Sequence, residues 1–302
     1  MPNVKLKNYF HLHFIVFIWG FTAILGKLIT LDALPLVWYR MLLALLMVLA
    51  YVLIRRFPLR VPLRTLLLLI VAGAVVAMHW VTFFMAIKVS NVSIALATMS
   101  TGAFFAALLE PLWYGRKIIG YEIVFGLAVM LGLYLIFKVE TDYILGIGLA
   151  LISAFLSAVF SLLNGKLTQY ERPSIISLYE FGSGVLLLTL YLIFFGGFGS
   201  GFFDLSGTDW LYIFILASFC TTYAFIASVK ILKYISPYTV MLTTNLEPVY
   251  GIVLAFFLLG DSERMNPLFY VGAAIILATV VANGILKNRG KLKKTTKGLP
   301  SY

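Results

Sequence analysis

The sequence has little of the chemistry that most soluble enzymes and disulfide-rich proteins depend on. It contains one cysteine, Cys220, which excludes an intramolecular disulfide bond. Its three histidines, His11, His13 and His79, are too few and too scattered to indicate a metal site. No nucleotide-binding motif is present, so we predict neither a cofactor nor transport powered by nucleotide hydrolysis within this chain. Only 12% of the residues are charged, against about 25% in soluble domains, which argues against a soluble fold.

Apolar residues take up most of the chain instead. They make up 62% of the 302 residues, and the mean hydropathy is +1.01. A bilayer core of about 30 Å is crossed by about 20 apolar residues in a helix, and the apolar runs here are continuous rather than alternating, which excludes a closed β-barrel. The sequence therefore predicts an all-α integral membrane protein with ten transmembrane helices. The predicted spans are residues 11–29, 35–54, 65–87, 92–113, 121–137, 144–163, 174–195, 210–229, 237–259 and 267–286.

Basic residues are unevenly distributed among the predicted connections. One set of alternate loops, together with the two termini, carries 18 of the 23 Lys and Arg residues, whereas the other set is mostly acidic. Because basic loops stay cytoplasmic, we expect both termini to be cytoplasmic and the protein to lie in the lipid bilayer of a bacterial inner (plasma) membrane. The net charge of +11 is interpreted as this topology signal and not as a nucleic-acid-binding surface.

The chain also repeats itself. Residues 86–115 align with residues 231–260, and the tripeptide at 26–28 recurs at 165–167. The order of these matches predicts two five-helix repeats. Because five is odd, the second copy enters the membrane from the opposite side, and such inverted-topology repeats build carriers with a site near the bilayer midplane. A duplication that only makes a stable bundle is the alternative. The predicted units are residues 1–140, residues 141–287 and a basic cytoplasmic tail at residues 288–302.

These features resemble the drug/metabolite transporter superfamily, in particular its EamA-type exporters with ten spans. The resemblance covers roughly residues 10–287 and implies export of amino acids or related metabolites, with no enzymatic reaction. The residues that carry it are Trp19-Gly20 and Lys27 in the first span, Arg40 within residues 38–44, and the stretch 83–96 that joins spans three and four.

The fourth span departs from the family pattern. Ala103 stands where the family has a proline, and Arg116-Lys117 occupy the end where it has an acidic residue. The ninth span keeps both features, with Pro248 and Asp261. We expect a break in the ninth helix at Pro248 and leave open whether the fourth span is broken as well.

Ionisable residues inside the predicted spans are the candidate site, because a charge at the bilayer centre costs about 2.5–3.5 kcal/mol on insertion scales. Glu247 lies about ten residues into span nine, hence roughly 15 Å deep, and is the candidate substrate or proton site; a protonated glutamic acid in a packed hydrogen bond is the alternative. His79 is a candidate proton relay or carboxylate ligand and Arg40 a candidate anion site, with structural roles left open for both. Further candidates for the site are Asn245, Thr243, Thr98, Trp19 and Tyr179.

A second group is predicted near the cytoplasmic ends of the spans. Glu180, Glu110 and Lys166 form a candidate inner gate, although ion pairs near a surface contribute only about 0–1 kcal/mol and are common without function. The function predicted from all these features is a secondary transporter that moves a small polar or amphipathic solute outward by alternating access around a midplane cavity. An uncoupled facilitator, an intramembrane enzyme and a non-transporting membrane protein are the alternatives. The sequence indicates neither the solute nor the oligomeric state.

Overall fold

A computed structural model describes residues 2–115, 120–139, 141–199 and 201–296, and these residues form helices joined by short connections. The spans consist, in chain order, of α1 (Pro2–Leu28), α2 (Ala33–Ile54), α3 (Leu63–Val89), α4 with α5 (Val92–Met99 and Gly102–Tyr114), α6 (Gly120–Val139), α7 (Ile144–Leu167), α8 (Pro173–Phe194), α9 with α10 (Gly207–Ile215 and Ala224–Ile231), α11 with α12 (Pro237–Thr244 and Glu247–Leu259) and α13 (Pro267–Thr296). Short 3₁₀ turns lie at Thr141–Tyr143 and Gly260–Glu263, and a π-helical segment at Leu216–Tyr223 joins α9 to α10.

The predicted all-α membrane architecture with ten helices is confirmed. Among the described residues, eight of the spans have 22 to 27 residues and are apolar enough to cross a bilayer. Within the fifth span, which the sequence predicted to be short, and within the tenth, the described residues contain the apolar segments Val124–Lys138 and Pro267–Thr279. Arg116 and Lys117, which mark the departure from the family pattern, lie outside the described residues.

The two groups of five helices pack in equivalent ways. Helix α3 packs against α7 and α8, and its equivalent, the span of α9 and α10, packs against α1 and α2. Helix α1 contacts α12, and its equivalent α7 contacts α4 and α5. Equivalent spans also contact each other directly, with α2 against α8 and α6 against α13. This is the pattern of two duplicated halves, and because each half has five crossings, equivalent helices run in opposite directions.

The crossing of α6 with α13 depends on glycine. A Cβ added to Gly132 would lie 2.8 Å from the carbonyl oxygen of Gly272, and one added to Gly272 would lie 2.7 Å from that of Gly132. Helices associate in a bilayer largely through close van der Waals packing, which small residues permit. The two halves therefore meet here backbone to backbone.

The fourth and ninth spans are both broken near their middle, at equivalent positions. Ser100 and Asn245 are the first residues after α4 and α11. In the ninth span Pro248 lacks the N–H that would continue the helical hydrogen bonds. The fourth span has no proline at the break; the Thr101 N–H donates to the Thr98 carbonyl at 3.1 Å, and its hydroxyl donates to the same carbonyl at 2.8 Å. Hydroxyl side chains that bond to the nearby backbone compete with regular helix, so the break left open by the sequence is present in both halves.

The eighth span, predicted as a regular helix, contains the π-helical segment. The hydroxyl of Thr221 donates to the carbonyl of Leu216 at 2.7 Å, five residues earlier in the chain. Such segments are rare and frequently lie at functional sites. Here the segment presents the Cys220 carbonyl to α1 and the Thr221 hydroxyl to α2.

Candidate functional site

A central cavity lies beside the two helix breaks and is lined by both halves of the molecule. Its volume is about 80 Å³, enough for several water molecules at about 10–15 Å³ each. Aromatic rings form much of the wall, and polar side chains from seven positions share it. These are Thr22, Arg40, His79, Ser157, Thr244, Asn245 and Glu247.

Arg40 brings a positive charge to this cavity. It is 2% exposed, its Nε donates to Oγ1 of Thr221 at 2.6 Å, and its guanidinium carbon lies 3.9 Å from the centre of the Trp80 ring. Its Nη1 is buried and has no hydrogen-bond partner among the residues that the structure describes. Arg40 therefore contacts a hydroxyl group and an aromatic face. Burying a charge is costly unless it is paired, so Nη1 is a donor suited to an anionic group of a solute.

Glu247 brings the opposite charge from the other half. It is the first residue of α12, directly after the break in the ninth span, and is partly exposed to the cavity. Arg40 is the charged residue that acts on it electrostatically. Among the described residues the two form no direct ion pair, although both line the same cavity. A buried cation and a partly exposed carboxylate thus face one space without forming an ion pair.

Within the described part of the chain, two more polar atoms at the cavity wall lack a hydrogen-bond partner, Asn245 Nδ2 and Thr22 Oγ1. Asn245 belongs to the break between α11 and α12, and Thr22 lies on α1. The large majority of buried polar side-chain atoms in proteins are hydrogen-bonded. Three unsatisfied polar atoms around one cavity, counting Nη1 of Arg40, indicate a site for a polar ligand.

His79 is held at the cavity wall by the sixth span. Its Nδ1 lies 2.9 Å from the carbonyl oxygen of Ser153, and the Ser153 hydroxyl donates to the His79 carbonyl at 2.9 Å. A carbonyl can only accept, so Nδ1 carries the proton and Nε2 of the neutral ring remains an acceptor. The ring packs 5.3 Å from the centre of Phe160. This geometry supports a positioned interior histidine and leaves Nε2 able to accept a hydrogen bond from a solute.

The cavity brings together five of the predicted site residues: Glu247, His79, Arg40, Asn245 and Trp19. Trp19 also joins the halves, because its Nε1 donates to the Cys220 carbonyl of the π-helical segment at 3.2 Å. It therefore has a structural contact as well as a place in the wall.

The other three predicted site residues do not line the cavity. The Thr243 hydroxyl donates to the carbonyl of Thr239 in its own helix at 2.9 Å. Thr98 is fully buried at the break of the fourth span. The hydroxyl of Tyr179 donates to the Leu59 carbonyl at 2.6 Å and so connects α8 to the loop after α2.

The three residues of the candidate inner gate lie in different surroundings. Glu180 is fully buried and receives one long hydrogen bond, 3.5 Å from Nδ2 of Asn164. Lys166 is exposed instead, with its Nζ 5.0 Å from the centre of the Trp113 ring. Glu110 is buried within α5. The structure thus places Lys166 with aromatic rings and Glu180 with an amide.

Sequence reasoning missed the contribution of the sixth span. Ser153, Ser157, Ser161 and Asn164 are all buried on α7; Ser153 holds His79 and Ser157 lines the cavity. Residues three and four apart share one face of a helix, so this polar stripe was readable from spacing alone. No comparable pattern in the sequence predicted that Thr22 lines the cavity or that the eighth span contains a π-helical segment.

The two ends of the bundle differ in charge and in structure. We call the end with Asp32, Asp209, Asp261 and Glu263 the acidic end, and the opposite end, with Arg64, Lys166, Arg172 and Lys230, the basic end. At the acidic end, Asp209 accepts hydrogen bonds from the backbone N–H and the hydroxyl of Thr30, both at 2.7 Å, and is 2% exposed. Nearby, Lys88 donates to the Ile29 carbonyl. We call the contact of Thr30 with Asp209 the acidic-end latch.

Comparison with known proteins gives consistent matches. The model of the EamA-like transporter family matches residues 8–138 and 144–284. An uncharacterized transporter from Archaeoglobus fulgidus is 25% identical over 152 residues, which are 50% of this chain and 52% of the relative, so the chain spans about half the length of that protein. A solved crystal structure superposes with a TM-score of 0.68 over 93% of this chain and 98% of its own, at 15% identity, which bears on the fold alone.

Proposed function

Because this protein belongs to the EamA-like transporter family, we propose that the solute it carries is a small zwitterion, an amino acid or a related metabolite, moved outward by alternating access around the central cavity. The observation that carries the proposal is the presence of Arg40 and Glu247 at one cavity without a direct ion pair between them. Inverted repeats that meet at a midplane site are a recurring basis of alternating access.

The two charges select for a solute that carries both signs. A carboxylate near Nη1 of Arg40 and an ammonium near Glu247 would compensate each buried charge, whereas a solute of one sign leaves the other charge unmatched at a cost of several kcal/mol. The rings of Trp80, Phe83 and Phe160 in the wall suit an apolar portion of the solute. Charge and wall chemistry together support this solute class.

Glu247 also offers a route to proton coupling. One carboxylate binds either the solute's ammonium or a proton, so the two compete for it. If the proton displaces the solute at one face of the membrane and the solute displaces the proton at the other, the result is antiport. We propose that the basic end and both termini face the cytoplasm of the inner membrane, in accord with the positive-inside rule, so that a proton entering from outside would drive export.

Uptake into proteoliposomes tests this function. The protein is reconstituted and challenged with a panel of labelled amino acids and related metabolites, with and without an imposed pH gradient. Glu247→Gln is compared with the wild type, and Glu171→Gln, which makes the same chemical change in the loop after α7, is the matched control. We expect gradient-dependent uptake in the wild type and the control, and loss of the gradient dependence in Glu247→Gln.

Each alternative has its own signature. If uptake by Glu247→Gln still depends on the pH gradient, this residue does not couple transport to protons. Counterflow without any gradient, together with indifference to protonophores, would identify a facilitator in which Glu247 only binds solute. Failure of every zwitterion in the panel, with uptake of a purely cationic or anionic compound, would contradict the solute class.

A further inference from the structure

A second, larger pocket opens at the basic end of the bundle. It lies between the start of α3 and the ends of α5 and α7, and its volume is about 660 Å³, within the range of about 300–1,000 Å³ that ligand pockets occupy. We call it the basic-end pocket. Its wall includes two cationic side chains, Arg64 and Lys166, three aromatic ones, Trp113, Tyr114 and Tyr170, and the amide of Gln169.

The charge in this pocket is free to act on a ligand. Lys166 Nζ lies 5.0 Å from the ring centre of Trp113 and 5.7 Å from that of Tyr114. Among the described residues neither Lys166 nor Arg64 forms a salt bridge, and no acidic residue lines the pocket. A cation held over aromatic faces keeps its full charge while its position is fixed. The combination of two cations with aromatic surface fits an anionic group attached to a small organic body.

The pocket lies directly beyond the central cavity along the same helices. On α7, Phe160 lines the cavity and Leu163 lines the pocket, a separation of about 4.5 Å at 1.5 Å per residue. On α3, Leu68 belongs to the pocket and His79 to the cavity. The separation of Leu68 from His79 on α3 is about 16 Å, so the pocket and the cavity follow each other along the same two helices.

At the acidic end the residues at the equivalent positions contact each other. Arg64 and Asp209 both lie in the first turn of equivalent spans, and Gln169 and Thr30 each come two residues after the end of equivalent helices, α7 and α1. At the acidic end the pair Thr30 and Asp209 is joined by two hydrogen bonds of 2.7 Å. At the basic end the pair Gln169 and Arg64 lines the open pocket. The molecule is thus latched at one end and accessible at the other.

We infer that the basic-end pocket is a loading site, separate from the central cavity, that binds the carboxylate of the solute between Arg64 and Lys166 before the solute reaches Arg40. This inference rests on the proposed function, because it takes the solute to be a carboxylate-bearing metabolite. An anionic lipid headgroup shares the same chemistry, since basic pockets between transmembrane helices also bind such headgroups. The experiment below separates the two sources.

The test compares two double variants that remove the same charge from the same end. Arg64→Gln with Lys166→Gln alters the pocket, and Lys230→Gln with Lys233→Gln removes two exposed lysines that do not line it. Transport of the labelled amino acid that the wild type carries best is measured from each face of oriented proteoliposomes made of neutral lipid. With the pocket variant we expect KM from the basic end to rise about three- to thirtyfold and the salt dependence of this KM to disappear.

The experiment distinguishes a failure of the loading site from a failure of the proposed function. A wild type that transports, with equal KM values in both double variants, overturns the loading site and leaves the transporter intact. A wild type that carries no carboxylate-bearing solute refutes the proposed function itself. A pocket effect that appears only when anionic lipid is added, and that is absent in neutral lipid, assigns the pocket to a headgroup and overturns the loading site. An unchanged thermal unfolding midpoint verifies that the pocket variant is folded.

Discussion

Helices α2 and α8 occupy equivalent places in the two halves, and their seventh residues do the same thing. Tyr39 in α2 donates its hydroxyl to the Phe202 carbonyl at 3.1 Å, and Tyr179 in α8 donates to the Leu59 carbonyl at 2.6 Å. Each tyrosine thus ties its helix to a loop of the opposite half. The scaffold of the molecule is built from contacts that the duplication has made twice.

The eighth residues of the same two helices are different. Arg40 faces the central cavity and bonds to Thr221, whereas Glu180 is fully buried and contacts Asn164. Helices at equivalent positions therefore hold a cavity cation in one half and a buried carboxyl group in the other. The two halves thus differ at a position that lines the candidate site and agree at a position that holds the helices together.

The largest effect should come from neutralising Arg40, and neutralising Glu180 at the equivalent position is the comparison. Arg40→Gln should lower the initial rate of solute uptake into proteoliposomes about 10- to 100-fold, because hydrogen bonds to a charged group contribute about 1.5–3 kcal/mol. Glu180→Gln should leave the rate within about twofold, because the new amide can both donate to and accept from Asn164. Arg40→Lys should recover only part of the rate, since an ammonium lacks the planar group that lies over Trp80.

Thermal unfolding of the purified variants is the control for this prediction, because both positions are buried. The comparison breaks down if Glu180→Gln and Arg40→Gln lower transport equally while both variants remain folded. In that case both halves would contribute a functional charge, and Glu180 would be supported as a residue of the candidate inner gate.

A second prediction concerns the difference between the two ends. Asp209→Ala removes the acidic-end latch, whose two hydrogen bonds involve a charged carboxylate. Opening of this end should then be favoured, and the natural thiol of Cys220, 3% exposed and about 16 Å further along the same span, reports it. We expect the labelling rate of Cys220 by a membrane-impermeant maleimide to rise about tenfold or more.

Matched variants sharpen the result. Asp261→Ala removes an aspartate from the same end, where it forms an exposed 3.0 Å ion pair with Arg264; such pairs contribute about 0–1 kcal/mol, so the labelling rate should stay close to that of the wild type. Arg64→Ala, at the other end, should not change it either. Equal labelling of Asp209→Ala and wild-type protein would show that the latch does not control access from the acidic end.

The sequence was sufficient for the features that follow from local composition. The bilayer imposes a length and an apolar content on each span, and the cost of a buried charge made Arg40, His79 and Glu247 conspicuous. The acidic-end latch was not predictable in this way, because Thr30 and Asp209 are 179 residues apart in the chain. Nor could spacing decide that Asn245 reaches the cavity while Thr243 bonds within its own helix, since this depends on how the broken helices cross.

The break in the fourth span shows the same limit on a smaller scale. A proline announces a break in the sequence, whereas the turn made by the Thr101 hydroxyl with the Thr98 carbonyl uses residues that are also common inside transmembrane helices. Ala103 therefore argued neither for nor against a break.

The smallest effect should come from exchanging the residues at the two breaks. Ala103 and Pro248 are each the second residue of the helix that follows the break, where a missing N–H costs little. Ala103→Pro should therefore change the free energy of unfolding by less than about 1 kcal/mol, whereas Ala106→Pro, inside the same helix, should lose about 3 kcal/mol or more. Pro248→Ala should be equally mild, because the fourth span keeps its break without a proline. Denaturant unfolding in detergent measures all three, and if Ala103→Pro proves as damaging as Ala106→Pro, the two breaks are equivalent in position but not in structure.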